Sequence, residues 1–223
     1  MISIKNLSLK FIREYYALYD ISLEIGKGEK VAFVGGEDSG KTTLLRVIAG
    51  LEKMTSGNVY INQIPLAKVS YKNDLSVGYV PVKPIFLKHK TVYENFVYLM
   101  KERRISTHEM EERINQVLID FNIEKFRDEV WENLSLFDQY IVSIARLALR
   151  EIDLLLIDNI FEQVTKKEVT VLVNLLLEHF LKKQNLTSIV ATSSTSIANK
   201  LCKTIHYFRY GNMVESLEEK TEE

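Results

Sequence analysis

The chain has 223 residues and a formal net charge of −1 at pH 7, because 29 lysines and arginines nearly balance 30 aspartates and glutamates. This balance argues against a nucleic-acid-binding or membrane-surface role, since both normally require a basic excess. Cys202, the only cysteine, excludes an internal disulfide, and no apolar run approaches the roughly 20 residues that span a bilayer.

The first half of the chain reads as short strands around one helix. The strand-like segments are residues 2–9, 19–25, 30–34, 58–61 and 77–80. The last two are read as a pair of strands. The segment 30–34 is apolar and runs directly into a glycine-containing turn. Residues 42–49 then predict a helix, which Gly50 closes in the C-cap position.

The second half begins with helical patterns and ends with further strands. Residues 92 to about 149 are helical in character, and residues 109–121 carry apolar side chains at helical spacing. A continuous apolar run at 154–157 ends in Asp158, as expected of a buried parallel strand. A helix at 169–180 and strands at 188–191 and 204–208 follow. This alternation predicts a largely parallel sheet covered on both faces, with a helical subdomain inserted at about 88–150.

The segment after the third strand fits the phosphate-binding pattern G-x-x-x-x-G-K-[ST]. Its residues are Gly35, Gly36, Glu37, Asp38, Ser39, Gly40, Lys41 and Thr42. Glycines let the backbone wrap a phosphate, while backbone N–H groups and the N-terminus of the following helix face the anion. Lys41 is expected to reach the β- and γ-phosphates, and the Thr42 hydroxyl to ligate magnesium. We therefore predict that residues 35–42, together with Thr43, bind the nucleotide.

Three longer segments place this loop in a wider context. They are LYDISLEIGKGEKVAFVGGEDSGKTTLLRVIAGLEKMTSGNVYIN, VGYVPVKPIFLKHKTVYENF and ENLSLFDQYIVSIARLALREIDLLLIDN. In this order they resemble the opening, glutamine-loop and signature-to-Walker B segments of ABC-transporter ATP-binding subunits. The resemblance implies an α/β fold: a P-loop NTPase core with a mostly parallel sheet, a small antiparallel β-subdomain and an inserted helical subdomain. We expect a single ATP-binding domain over residues 1–223, with an acidic tail at about 216–223.

The resemblance also assigns roles to individual residues. The family's adenine-stacking aromatic falls near Phe11, one residue from its commonest spacing, and Tyr15 and Tyr16 compete for this role. A core aromatic at the end of a strand is an equally open interpretation of Phe11. Asp158 matches the Walker B aspartate that orients magnesium. Thr42 and Asp158 are therefore the predicted metal-binding residues, and ATP and Mg²⁺ the predicted cofactors.

Several catalytic positions of the family carry other residues here. The glutamate that follows the Walker B aspartate is replaced by Asn159, whose amide can position water but cannot accept its proton. The switch histidine falls on Ser193, and the glutamine-loop position is Val82. Glu162 lies three residues beyond Asn159, and His206 lies well beyond Ser193. Sequence distance therefore argues that neither Glu162 nor His206 replaces a missing group.

The motifs that meet a second subunit in this family are altered as well. The signature reads LSLFD at residues 134–138, with Leu136 and Phe137 where two glycines usually follow the serine. Those glycines let the partner's backbone approach the γ-phosphate, and larger side chains would crowd that approach. The aspartate of the next inter-subunit loop appears as Thr165. Losing one general base typically costs ~10²–10⁴ in rate, so we predict very slow or absent hydrolysis with nucleotide binding retained.

These features support two functions. The first is the ATP-binding subunit of an ABC-type transporter, which dimerises with itself or another ATP-binding subunit and joins a transmembrane permease. The second is a non-hydrolysing regulatory or scaffolding module, in which ATP holds a conformation that binds a partner protein. Soluble ABC-type ATPases of DNA repair or translation fit less well, because those carry long coiled insertions or tandem cassettes. We expect a cytoplasmic chain, attached peripherally to the membrane through a permease, with no nucleic-acid partner.

Overall fold

The computed structural model describes residues 1–12, 15–71, 74–101 and 105–217. Within these residues the strands are β1 (Ile2–Ile12), β2 (Tyr15–Ile25), β3 (Lys30–Val34), β4 (Ser56–Ile61), β5 (Ile64–Pro65), β6 (Val77–Val80), β7 (Leu154–Asp158), β8 (Thr187–Thr192), β9 (Thr204–Arg209) and β10 (Asn212–Val214). The α-helices are α1 (Lys41–Ile48), α2 (Val92–Met100), α3 (Thr107–Asp120), α4 (Leu136–Ala148), α5 (Lys166–Leu176) and α6 (Thr195–Leu201).

The described strands form two sheets. The smaller sheet has the order β2-β1-β4-β5 and is antiparallel throughout. The larger sheet has the order β10-β9-β3-β8-β7-β6, in which β9 and β10 are antiparallel and all other neighbouring strands are parallel. Val34 at the end of β3 lies opposite Thr192 of β8, and Asp158 of β7 lies opposite Ala191. The carboxyl ends of β3, β7 and β8 therefore meet at one edge of the sheet.

The strand β3 is buried on both faces of the larger sheet. Ala32 and Val34 belong to an apolar core that contains residues of α2 to α6. Val31 and Phe33 belong to a second core, formed with α1 and the antiparallel sheet. Successive side chains of a strand point to opposite faces, so a strand covered on both sides needs a continuous apolar run. The helices thus cover one face of the parallel sheet, and the antiparallel sheet with α1 covers the other.

Three helices, α2 to α4, are inserted between β6 and β7 and pack into the first of these cores. Thr91, Ser106 and Ser135 cap their N-termini, because each side chain accepts a hydrogen bond from a backbone N–H in the first turn. Trp131, in the connection to α4, is buried and stacks on Phe86 with 4.5 Å between ring centroids. None of the described helices is long and apolar enough to cross a bilayer.

Tyr140 of α4 ties this helical block to the parallel sheet. Its side chain is fully buried, and its hydroxyl donates a hydrogen bond to the Val82 carbonyl, just beyond β6, at 2.5 Å. Burial raises the pKa of Tyr140 to about 12. The loop that follows β6 is therefore held by the helix that follows Ser135.

The predicted α/β fold class is confirmed, including the mostly parallel sheet, the antiparallel sheet and the inserted helices. The helix α1 ends where expected, and Gly50 follows it with a φ of 71°. The prediction of a strand pair at 58–61 and 77–80 is wrong, because β4 pairs with β1 and β5 whereas β6 pairs with β7. An alternating or apolar pattern indicates a strand but not its partner. Residues 218–223 of the predicted acidic tail lie outside the described residues.

We predict that Tyr140→Phe lowers the free energy of unfolding by about 1–2 kcal/mol, because the Val82 carbonyl loses its donor in a partly buried position. Tyr98→Phe makes the same change on a side chain of α2 that is 60% exposed. That control should change the free energy of unfolding by less than about 0.5 kcal/mol. Urea unfolding followed by far-UV circular dichroism measures both variants, and equal stabilities would show that the Tyr140 bond contributes nothing.

Candidate nucleotide-binding site

A cavity of about 490 Å³ lies where the carboxyl ends of the parallel strands meet. It is lined by residues 35–43, Val82, Asn159, Glu162, Gln163 and Ser193. The loop 35–40 connects β3 to α1, Asn159 follows β7, and Ser193 follows β8. Parallel strands bring their carboxyl ends to one edge, so segments far apart in sequence converge on this loop.

Two glycines let the phosphate loop pack closely against the rest of the chain. Gly40 has a φ of 94°, and a Cβ added there would approach the Ala17 carbonyl oxygen to 2.7 Å. A Cβ added to Gly35 would lie 2.3 Å from the Phe208 carbonyl oxygen. Both positions therefore require glycine, which agrees with the pattern found in the sequence.

The Lys41 amine lies inside the loop. Its Nζ donates hydrogen bonds to the carbonyl oxygens of Gly35 and Gly36 at 2.7 and 2.8 Å, and to Ser39 Oγ at 2.8 Å. Only 4% of Lys41 is exposed, and desolvation by burial lowers the pKa of the amine. A phosphate that binds Lys41 must replace these neutral acceptors, and its charge favours the exchange.

The charges that line the cavity are mostly negative. Glu37 and Asp38 are exposed on the loop, and Asp158 lies beneath it. Burial lowers the pKa of Lys41, and the carboxylates of Glu162 and Asp158 raise it again in part. One buried ammonium cannot balance these carboxylates and a triphosphate together. A divalent cation is therefore expected to accompany a bound nucleotide.

Thr42 and Asp158 provide oxygen ligands of the kind that Mg²⁺ prefers. Thr42 Oγ1 donates a hydrogen bond to Asp158 Oδ1 at 2.8 Å, and the Tyr79 hydroxyl donates to Oδ2 at 2.9 Å. Asp158 is 1% exposed, and burial raises its pKa while the two hydrogen bonds oppose that shift. A hydroxyl and a carboxylate side by side fit a hard cation. Sequence reasoning missed Tyr79, because only the pairing of β6 with β7 brings it to Asp158.

Asn159 directs an amide towards the same two oxygen atoms. The residue adopts a left-handed conformation with a φ of 47°. Its Nδ2 lies 3.3 Å from Asp158 Oδ1 and 3.4 Å from Thr42 Oγ1. A side-chain amide can orient a water molecule through such contacts, but it has no basic atom that could take the water's proton.

Glu162 reaches the cavity although its sequence distance from Asn159 argues against a place in the site. Its Oε1 accepts a hydrogen bond from Thr192 Oγ1 at 2.9 Å and another from the Ser193 backbone N–H at 2.5 Å. The 3₁₀ turn Ile160–Gln163 follows β7 and carries the carboxylate towards the end of β8. Counting residues along the chain does not reveal this turn, so only the structure shows that Glu162 lines the cavity.

The other predicted positions divide between the cavity and the rest of the chain. Val82 lines the cavity, but its apolar side chain offers no ligand for a metal or a water. His206 lies in β9 beside Phe33, with 6.2 Å between ring centroids, and is not among the lining residues. Ser135 donates a hydrogen bond to Asp138 Oδ2 at 2.5 Å, and it also lies outside the lining. The signature residues therefore do not contribute to this chain's own cavity.

The predicted adenine-stacking aromatics lie on β1 and β2, outside the cavity lining. Phe11 and Tyr15 are 55% and 61% exposed. Tyr16 is more buried, since Lys10 Nζ lies 4.3 Å above its ring and Tyr19 contacts its ring at 4.9 Å between centroids. The exposure of Phe11 overturns its interpretation as a core aromatic. Which aromatic stacks on adenine stays a prediction, with Phe11 and Tyr15 the more accessible rings.

The glycine loop runs from a buried parallel strand into a helix, with Lys41 inside it and Asp158 bonded to Thr42. These features are those of a P-loop nucleotide-binding site. The chain belongs to the ABC transporter family. A sequence model of this family, described as "ABC transporter", matches residues 18–162. The match extends from β2 through the phosphate loop and the inserted helices to Glu162.

Similar proteins carry import functions in their names. Over 157 residues the chain is 34% identical to the spermidine/putrescine import ATP-binding protein PotA of Thermotoga maritima, covering 70% of this chain and 42% of PotA. Over 214 residues it is 30% identical to the "Probable sulfate/thiosulfate import ATP-binding protein CysA" of Chlorella vulgaris, covering 96% and 89%. Over 224 residues it is 30% identical to the methionine import ATP-binding protein MetN 1 of Enterococcus faecalis, covering 97% and 62%. The chain thus spans less than two thirds of PotA and of MetN 1.

Solved structures of ATP-binding cassettes share this fold. The dimeric cassette MJ0796, solved in a post-hydrolysis state bound to ADP and Pi, has a TM-score of 0.84 and 26% identity, with 96% of each chain covered. CbiO1 from Clostridium perfringens, part of the ABC transporter complex cbiONQ, has a TM-score of 0.80 and 24% identity. That match covers 96% of this chain and 86% of CbiO1.

We predict that Lys41→Ala weakens ATP binding by about 10–100-fold, because a charge-assisted hydrogen bond contributes about 1.5–3 kcal/mol. Lys167→Ala removes an exposed lysine at the start of α5 and is the matched control, with an unchanged Kd. Titration with a fluorescent ATP analogue in the presence of Mg²⁺ measures both. Equal affinities for Lys41→Ala and the wild type would mean that the nucleotide binds elsewhere.

Proposed function

We propose that this chain is the ATP-binding subunit of an ABC-type import system and that it hydrolyses ATP slowly or not at all. It binds Mg-ATP in the cavity at the phosphate loop and works with a transmembrane permease. It lies on the cytoplasmic side of the membrane and is attached through that permease. Membership of the ABC transporter family and the import functions named for PotA, CysA and MetN 1 support this proposal.

The observation that carries nucleotide binding is that Lys41 and Thr42 line one cavity and that Asp158 is hydrogen-bonded to Thr42. The ammonium lies within the loop, and the hydroxyl and carboxylate lie 2.8 Å apart beside it. The loop amides and Lys41 would bind the phosphates, while Thr42 and Asp158 would hold Mg²⁺. When bound, the ion would neutralise charge on the phosphate oxygens. The loop, Lys41 and Thr42 match the phosphate-binding pattern without substitution, and Asp158 lies at the end of β7.

Weak hydrolysis rests on the groups that face this cavity. Asn159 offers an amide in place of a carboxylate, and Val82 offers no polar atom from its side chain. Ser193 presents its backbone N–H to Glu162, and its short hydroxyl cannot reach as far as an imidazole. The loss of one general base alone costs ~10²–10⁴ in rate. Binding and turnover are therefore separable in this site, and binding is the better preserved of the two.

A second groove supports the proposal that a permease binds this chain. It has a volume of about 370 Å³ and lies between the segment after β6 and the helix α2. Three of its apolar residues, Ile85, Leu87 and Tyr98, are 67%, 38% and 60% exposed. Clustered exposed apolar side chains are typical of protein–protein contacts. The dimeric form of MJ0796 similarly supports pairing with a second ATP-binding subunit, either a copy of this chain or a related one.

A second candidate function is a nucleotide-gated regulatory module that binds a partner protein without turnover. The same contrast favours it: the binding residues Lys41 and Asp158 are present, whereas Asn159 offers an amide at the position of the catalytic carboxylate. In such a module, ATP would stabilise one conformation by binding it more tightly than the other. The two candidates differ in whether a permease is bound, which affinity purification from membranes with mass spectrometry determines.

We predict that the wild-type chain binds Mg-ATP but turns it over below about 0.1 per second, under the range of typical enzymes. Asn159→Glu should raise this rate by less than tenfold. Val82 and Ser193 would remain at two other catalytic positions of the same reaction, and restoring one group does not restore the others. Phosphate release and nucleotide affinity are measured on the same preparations.

The control for this experiment is Lys41→Ala, purified in the same way, which reports contaminating ATPase activity. Wild-type turnover of several per second, lost in Lys41→Ala, would contradict the proposal of weak hydrolysis. A wild type that fails to bind Mg-ATP would contradict the proposed function itself.

A further inference from the structure

A carboxylate lies in the cavity between the two positions whose usual catalytic side chains are replaced. Glu162 lines the cavity together with Asn159 and Ser193. We propose that Glu162 is the general base for the slow ATP hydrolysis that this site retains. The turn after β7 would then supply the carboxylate that is missing at position 159. The inference rests on the proposed function, since it requires ATP to bind at the phosphate loop.

Two donors hold the Glu162 carboxylate in place. Oε1 accepts hydrogen bonds from Thr192 Oγ1 and from the Ser193 backbone N–H. Thr192 is fully buried, and its hydroxyl oxygen also accepts a hydrogen bond from the Ser194 backbone N–H at 3.1 Å. Both contacts use the same oxygen of Glu162. Within the described part of the chain, Oε2 accepts no hydrogen bond and is available to a water molecule.

The position of this carboxylate suits a water next to the γ-phosphate. Lys41 is the residue that reaches the β- and γ-phosphates in a phosphate loop. Lys41 and Glu162 line the same cavity. Glu162 is itself exposed to solvent. A carboxylate that lines this cavity and is open to water can hold a water on the γ-phosphate side.

The proposed step is the attack of a water on ATP. The water oxygen forms a bond to the γ-phosphorus while one of its protons passes to Glu162 Oε2. The bond between the γ-phosphorus and the oxygen that bridges it to the β-phosphorus breaks, and its electron pair leaves with ADP. Glu162 then returns the proton to solvent. Asn159 can orient the water but cannot take part in this proton transfer.

The alternative is a purely structural role, in which Glu162 only joins the turn after β7 to the end of β8. If the role is only structural, removing the Glu162 carboxylate would change the stability of the protein and its affinity for the nucleotide. It would leave the hydrolysis rate of bound ATP unchanged. The two roles are therefore separated by measuring the rate on bound nucleotide and the affinity independently.

The experiment compares the full chain with Glu162→Gln, Glu162→Asp and Glu112→Gln. Glu112 lies on α3 with a side chain that is 66% exposed, so Glu112→Gln makes the same chemical change away from the cavity. Single-turnover release of labelled phosphate is followed with protein in excess over ATP and with Mg²⁺ present. Lys41→Ala gives the background. The Kd for ATP and the thermal unfolding temperature of each variant are recorded in parallel.

We expect Glu162→Gln to lower the single-turnover rate at least ~10-fold with less than about a threefold change in Kd. Glu112→Gln should match the wild type. Glu162→Asp keeps the carboxylate but withdraws it by one methylene, and an intermediate rate is expected. If Glu162→Gln does not fold, the Glu162→Asp variant decides: a rate lowered severalfold supports the proposal, and an unchanged rate overturns it.

Two results would overturn the role of Glu162 while leaving the proposed function intact. One is a wild type that binds ATP but releases phosphate no faster than Lys41→Ala. The other is a Glu162→Gln variant that binds ATP and releases phosphate at the wild-type rate. A wild type that does not bind ATP would instead remove the proposed function, and the role of Glu162 with it.

Discussion

The parallel pairing of β8 with β3 on one side and β7 on the other is the constraint on which the site depends. It places Val34 opposite Thr192 and Asp158 opposite Ala191. The phosphate loop, Asn159, Glu162 and Ser193 therefore line one cavity, and Asp158 is hydrogen-bonded to Thr42. All residues of these three strands except Lys30 are buried. A shift of one residue would move every side chain to the other face, so the packing of both faces also sets the register of the site.

Two charged side chains, Lys41 and Asp158, are buried at the site, although burial normally disfavours charged groups. Burial acts against the charged forms of both Lys41 and Asp158. It lowers the pKa of Lys41, which the charges of Glu162 and Asp158 raise again in part, and it raises the pKa of Asp158, which the hydrogen bonds from Thr42 and Tyr79 oppose. Lys41 is surrounded by loop oxygens, and Asp158 by the hydroxyls of Thr42 and Tyr79. Groups that cost stability in the empty protein are well suited to bind a phosphate and a divalent cation, which is the usual trade between stability and function.

Binding and chemistry depend on different parts of the site. The loop backbone, Lys41 and Thr42 act through charge and hydrogen bonds and keep the residue types of the phosphate-binding pattern, and Asp158 is hydrogen-bonded to Thr42. In the proposed function, proton transfer would depend on the residues that follow β7 and β8, and there the cavity is lined by the amide of Asn159 and by Ser193. Glu162 is the exception, since its carboxylate returns a negative charge to that side of the cavity. A nucleotide could therefore gate a partner even where turnover is slow.

The sequence by itself determined the features that are local. The glycine pattern at 35–42, the apolar runs at 30–34 and 154–157 and the Gly50 cap all appear in the structure where the residues predicted them. Only the tertiary structure separated the strands 58–61 and 77–80 into different sheets, and only it brought Tyr79 to Asp158 and Glu162 to Ser193. The physical reason is that residue patterns encode backbone conformation and burial, whereas the distance between two side chains depends on how every intervening element packs.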